Sequence, residues 1–264
     1  MLIFNDKKIS SYIKSWKAIL ILSIIIVAGI LVRIAELWWH GPWVRDSVMY
    51  CQWAEAWHET GVMSHLAQFG AKIGPLYIGL MVCGMKCGLS AMQAGIAVNF
   101  FCGLLLIILT YLIALECFNN KYWALWAAVF AAVHPTTVEY SCKVLREMAF
   151  LLFTGFWILG TLRGIKKDKS RWWILAGISA AMATLTRVEG LEYFFIMMII
   201  GITAILCDKK KAPQKVLKIA ALFVSAWLGT VLILSCWWGA NVQYYKEMLR
   251  FRQEMMQVNF DHLE

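Results

Sequence analysis

Residues 17–39 read KAILILSIIIVAGILVRIAELWW. That run exceeds the roughly 20 apolar residues that carry an α-helix across a bilayer. Lys7, Lys8 and Lys14 lie ahead of it, Lys17 opens it, and Trp38 and Trp39 close it, with Trp43 just beyond. No small-residue cleavage site follows, so the run reads as an uncleaved anchor rather than a signal peptide. Comparable windows recur at Ala91 to Phe118, Val144 to Leu162 and Val216 to Trp238. Hydrophobic residues make up 61% of the chain and charged residues 16%, against roughly 45–50% and about 25% in an ordinary soluble domain. These features predict an all-α, polytopic membrane protein.

Charge placement orients it. Lysine and arginine crowd three places: the amino-terminal stretch, Arg163 to Arg171, and Lys209 to Lys218. The positive-inside rule puts all three in the cytoplasm, so an even number of crossings must separate each pair. Five apolar segments lie between the first two clusters, and one of them cannot cross. Pro75 to Leu89 is the shortest, about 22 Å as a helix against a core about 30 Å thick, and is expected to lie as a helix at the outer interface. The resulting path has about seven spans, near 17–39, 91–117, 121–137, 142–163, 172–187, 190–207 and 215–238. It divides the chain into a basic cytoplasmic tail (1–16), a transmembrane domain (17–238) with a long external loop (40–90), and an external amphipathic segment (239–264). Ser47 to Thr60 is expected to form an interfacial helix, with Tyr50, Trp53, Ala54 and Trp57 opposite Gln52, Glu55 and Glu59. Gly61, Gly70 and Gly74-Pro75 punctuate the rest of that loop. The amino terminus is thus expected in the cytoplasm and the working face outside.

The net charge of +9 resides in loops flanking spans, which argues for membrane lipids as partners and against nucleic acid. The eight cysteines form no disulfide or zinc framework, and no metal site is expected. Eight of the fourteen tryptophans fall at window ends, the pattern of an interfacial belt. P-loop, GxGxxG, HExxH and GxSxG patterns are absent from the sequence.

Most carboxylates fall on the expected outer side or at its boundary, and three external groups stand out. Arg45-Asp46-Ser47 follows the first span, where partial shielding would raise the Asp46 pKa and make it a better base; a solvated loop acid is the plainer alternative. His134-Pro135 ends the third span, since proline cannot continue the hydrogen-bond ladder. Glu139, Lys143 and Glu147 follow at i, i+4 spacing with Arg146 beside them. These charges read either as a surface salt-bridge ladder or as a functional cluster at membrane depth. Arg187-Val188-Glu189 sits at the tip of the fifth and sixth spans, where Arg187 is suited to clamp a phosphate or simply to snorkel to water. Together the three groups suit a substrate with an anionic head and an apolar tail.

At these residues the chain resembles the GT-C superfamily of membrane glycosyltransferases, in particular bacterial relatives of protein O-mannosyltransferases and of the lipid A aminoarabinose transferase. The resemblance runs from Arg45-Asp46-Ser47-Val48-Met49-Tyr50, with Ala54, Trp57 and Gly61, through Gly74-Pro75-Leu76-Tyr77 to His134-Pro135. Val144-Leu145-Arg146-Glu147 and Thr186-Arg187-Val188-Glu189-Gly190 complete it. It implies inverting transfer of a sugar from a polyprenyl-phosphate donor to an acceptor hydroxyl of a lipid, glycan or protein at the external face of a bacterial plasma (inner) membrane, with no cofactor and with a divalent metal not favoured. Asp46 matches the catalytic base, and Glu147 matches a second catalytic acid at a position where relatives often carry Asp. Arg187 and Arg146 would contact the donor phosphate. Glu189, Glu139, His134 and Tyr50 complete the expected substrate-binding set. Relatives usually continue past a seventh span, so the chain is also expected to be short at its carboxyl end. The alternative to an enzyme is a non-catalytic protein that handles polyprenyl-phosphate lipids, or a fragment of an enzyme.

Overall fold

The computed structural model describes residues 16–61, 74–207 and 212–237. The expected basic tail, Gly70, the Lys209-Lys210-Lys211 loop and the expected external carboxy-terminal segment lie outside them. Among the described residues the chain is all α-helical, as expected. The helices are α1 (Trp16–His40), α2 (Arg45–Thr60), α3 (Leu76–Lys86), α4 (Ala91–Phe118), α5 (Lys121–Val133), α6 (Pro135–Cys142), α7 (Glu147–Lys167), α8 (Ser170–Thr186), α9 (Glu192–Cys207) and α10 (Ala212–Trp237).

Four helices have the length and apolar character to cross a bilayer: α1, α4, α7, and α10 over Val216–Leu234. The other expected crossings are shorter, with 13 residues in α5, 17 in α8 and 16 in α9. Side-chain bonds set the direction of the central pair. Asn99 near the start of α4 reaches the Lys143 and Leu145 carbonyls just before α7, and Glu116 near the end of α4 meets Arg163 near the end of α7. The two helices therefore run side by side in the same direction, as the expected path requires.

Sequence features explain where the helices start and turn. Ser90 and Gln93 form a capping box at α4: the Ser90 hydroxyl accepts from the Gln93 amide at 3.3 Å, and the Gln93 side chain accepts from the Ser90 amide at 3.0 Å. Pro135 stands at the first position of α6, where its missing N–H costs no helical bond. Arg33, fully buried in α1, donates to the Gly29 and Ala132 carbonyls at 3.1 and 3.0 Å. It places its charge at the carboxyl end of α5, where the helix dipole favours a cation.

The structure amends four local expectations. The Pro75 to Leu89 segment does not rest free on a surface: Leu76, Tyr77, Ile78, Met81 and Val82 of α3 are buried, packed with α2 and α4, while Cys83 and Lys86 stay exposed. The apolar stripe of α2 is likewise covered by protein, with Tyr50, Ala54 and Trp57 in that same core, while Gln52, Glu55 and Glu59 stay exposed. Finally, helical geometry lapses between Cys142 and Glu147, so Glu139, Lys143 and Glu147 share no helical face. Trp173 also leaves the belt: it is 3% exposed and packs on Gly164, where a Cβ would come within 2.7 Å of its ring.

At the far end of α4, Arg163 Nε donates to Glu116 Oε1 at 2.6 Å, with Glu116 only 1% exposed. The Arg163 guanidinium also lies 4.7 Å from the Trp172 ring centre. Removing one partner strands the other charge in a buried setting. Glu116→Ala is expected to lower stability by about 3 kcal/mol, measured by thermal unfolding in detergent. A double variant that also replaces Arg163 with Met should recover part of the loss.

Candidate functional site

The break before α7 organises the site. Leaving helical geometry frees carbonyls, and buried carbonyls must find partners. Here side chains from elsewhere supply them. Asn99 Nδ2, completely buried in α4, lies 2.6 Å from both the Lys143 and Leu145 carbonyls. It also lies 3.1 Å from the Tyr77 hydroxyl, which donates to the Gly95 carbonyl at 3.3 Å. Ser47 Oγ, also fully buried, donates to the intervening Val144 carbonyl at 3.2 Å and accepts from the Val44 amide at 3.2 Å. Lys143 Nζ donates to the Gly41 carbonyl at 2.8 Å. The first turn of α2, with Asp46, is thus pinned to the turn that carries Arg146 and Glu147. Glycine permits the approach at Gly95, where a Cβ would stand 2.6 Å from Val144 Cγ1.

Arg187 comes from the opposite side, in extended backbone just after α8. Its Nη1 donates to Glu147 Oε1 at 2.6 Å. Its Nε and Nη2 face the two Glu189 oxygens at 3.4 and 3.3 Å, and its guanidinium lies over the Phe150 ring, 5.8 Å from the centre. Partial burial works to lower the Arg187 pKa, but the hydrogen bond to Glu189 and the charges of Glu189 and Glu147 outweigh it and leave it raised. A tight 3-10 turn, Val188–Leu191, follows. Gly74 lies directly against the Leu185 and Thr186 carbonyls, with no room for a Cβ. The Gly74-Pro75 entry to α3 therefore touches the backbone just ahead of Arg187.

Tyr50, one turn beyond Asp46 and 4% exposed, links the two sides. Its ring meets Trp53 and Tyr77 edge-on at 5.8 and 5.5 Å between centres. Burial pushes its phenol up to about 12, with smaller influences from Arg146, Glu147, Asp46 and Arg187. Those four groups therefore all lie within electrostatic reach of one ring. Asp46 is exposed at the start of α2. Glu147 and Arg187 are half-buried, at 27% and 26% side-chain exposure. Glu147 Oε2 and Arg146 Nε are buried atoms with no hydrogen-bond partner among the described residues. Buried polar atoms are nearly always satisfied, so both call for a partner beyond the described protein atoms.

The structure thus brings together Asp46, Tyr50, Arg146, Glu147, Arg187 and Glu189. His134 and Glu139 stand apart: both are exposed, His134 at the α5–α6 junction, and Glu139 in a different cavity with Glu36, His40 and Lys143. Asn99, Ser47 and Tyr77 are the positions that residue-by-residue reading did not single out as functional. Asn99 carried a usable signal, as the only asparagine in the apolar window Ala91–Phe118, because polar groups at membrane depth are costly. No group of three or more His, Cys, Asp or Glu among the described residues is placed to hold a metal ion.

A family model described as dolichyl-phosphate-mannose-protein mannosyltransferase matches residues 74–238. The matched range contains Arg146, Glu147, Arg187 and Glu189; Asp46 and Tyr50 lie ahead of it. No curated protein and no solved structure matches the chain.

Proposed function

This chain belongs to the dolichyl-phosphate-mannose-protein mannosyltransferase family, a membrane glycosyltransferase family of the GT-C type, and we propose that it moves a sugar from a polyprenyl-phosphate donor to an acceptor hydroxyl at the external membrane face. One observation supports the reading: Asp46, Arg146, Glu147 and Arg187, drawn from three separate segments, all lie within electrostatic reach of Tyr50.

In the proposed reaction the acceptor oxygen attacks the anomeric carbon as Asp46 takes its proton. The bond from that carbon to the phosphate oxygen breaks, both its electrons leave with the phosphate, and the anomeric configuration inverts. Charge grows on the departing phosphate, where preorganised donors act most strongly. Arg187 and Arg146 supply those donors. Glu147 and Glu189 hold the Arg187 fork in one orientation, so little ordering remains when the phosphate arrives. The apolar tail of the donor stays in the membrane.

The deciding experiment incubates the purified chain with a panel of polyprenyl-phosphate sugars and scores donor consumption and released polyprenyl phosphate. Consumption of at least one donor is expected. Binding of polyprenyl phosphate without consumption of any sugar would favour the non-catalytic lipid-handling alternative.

A further inference from the structure

A second cavity, of about 460 Å³, opens between the carboxyl end of α1 and the α5–α6 junction. It shares no lining residue with the Asp46–Arg187 cluster. Its polar lining is Glu36, His40, Glu139 and Lys143, and its apolar margin includes Val32 and Val133. Both valines are exposed, at 38% and 48%. Depth follows from the neighbouring tryptophans. Trp38 and Trp39 end α1 at 84% and 76% exposure, and indoles exposed at the end of a membrane helix settle among the headgroups. The cavity therefore lies at headgroup level, with a valine margin open to acyl chains.

Its charges select among headgroups. Glu36 binds His40 at 3.0 Å, and Glu139 is exposed and makes no ion pair among the described residues. Lys143 is 6% exposed, and its ammonium is already engaged by the Gly41 carbonyl at 2.8 Å. A lone phosphate in this space would face two carboxylates and one partly committed lysine. An ammonium would find two carboxylates to accept from, and a phosphate one short link away would reach the remaining Lys143 donors and His40. A choline group has the cation but no N–H to donate, and a glycerol headgroup has hydroxyls but no cation.

We propose that this cavity binds the headgroup of a phospholipid carrying a primary ammonium, the phosphatidylethanolamine class, with the ammonium between Glu36 and Glu139. The site is separate from the proposed donor site and stands whether or not the chain transfers sugar. It is nevertheless linked to that site, because Lys143 lines the cavity and opens the turn that carries Arg146 and Glu147.

The full chain, purified in detergent, is equilibrated with equal amounts of phosphatidylethanolamine, phosphatidylcholine and phosphatidylglycerol, and retained lipid is read by native mass spectrometry. Preferential retention of phosphatidylethanolamine is expected. E139Q should reduce that preference about threefold, the scale of one exposed ion pair, and E139K should shift it toward phosphatidylglycerol. Thermal unfolding in phosphatidylcholine micelles checks that both variants are folded. Independently of any variant, retention by the natural chain should fall stepwise as the lipid amine is methylated from primary to quaternary. Equal retention of the three lipids, a preference that survives E139K in a folded variant, or a flat response to methylation would each overturn the proposal.

Discussion

Asp46→Asn is expected to lower the rate of sugar transfer by about a thousandfold, within the range that a positioned general base contributes, while polyprenyl-phosphate binding stays near that of the natural chain. The argument rests on position. Asp46 is exposed, with no hydrogen bond or ion pair to another side chain among the described residues, so the isosteric amide removes a proton acceptor and little structure. Arg146 and Arg187, the groups proposed for the phosphate, and Glu147, which holds Arg187, keep their contacts. Rate and binding should therefore separate, whereas in a protein that only handles lipid they would not. The basic side of the pH–rate profile adds a second check. Tyr50, raised to about 12, and Arg187, also raised, both hold their protons well past neutrality. The sign for stability agrees: a Tyr50 pKa above its ordinary value of 10 gives a contribution that is intact below pH 10 and lost as pH climbs through 12. Activity should accordingly show no loss from either group up to about pH 10. Transfer by Asp46→Asn at the natural rate would remove Asp46 from the mechanism.

The apolar windows were legible because membrane crossing is a property of length and composition, which a sequence displays directly. Helix breaks were not. Residues 137–150, TVEYSCKVLREMAF, contain neither proline nor glycine, and their charges repeat at helical spacing, so local reading continues the helix through Lys143. What interrupts it is tertiary: Asn99 and Ser47 offer the Lys143, Val144 and Leu145 carbonyls partners that an uninterrupted helix would not need. The same limit applies to α3. Its length argued against a crossing, but nothing local showed that α2 would cover it. Asp46, Glu147 and Arg187 were nominated from a resemblance in motif order. Their meeting around Tyr50 depends on the direction of α4 against α7 and on close backbone approach at Gly74 and Gly95, which emerge only when distant segments pack. Glu139 shows the converse: its spacing to Glu147 fitted a shared face, and the break sends it to another cavity.

Asn99→Leu should be the most damaging substitution outside the reacting groups. Leucine keeps asparagine's four side-chain heavy atoms and its branch point and is the bulkier of the two, so the change removes donors without opening a cavity. The Leu145 carbonyl would lose its side-chain donor, whereas the Lys143 carbonyl keeps the Leu145 amide at 3.0 Å. One buried acceptor left unsatisfied predicts a destabilisation of about 1–3 kcal/mol, read as a lowered unfolding temperature in detergent. The catalytic consequence is larger than stability alone implies. Arg146 and Glu147 follow the clasped turn directly, and displacement of a positioned group by about 1 Å can cost about a hundredfold in rate. Tyr77→Phe is the matched control, because it deletes one partner of Asn99 while leaving both clasped carbonyls in place, and it should lose far less activity. A folded Asn99→Leu protein with an unchanged kcat would mean that Glu147 and Arg146 reach their positions without the clasp, and that α7 is set by its packing on α4 and α8 instead.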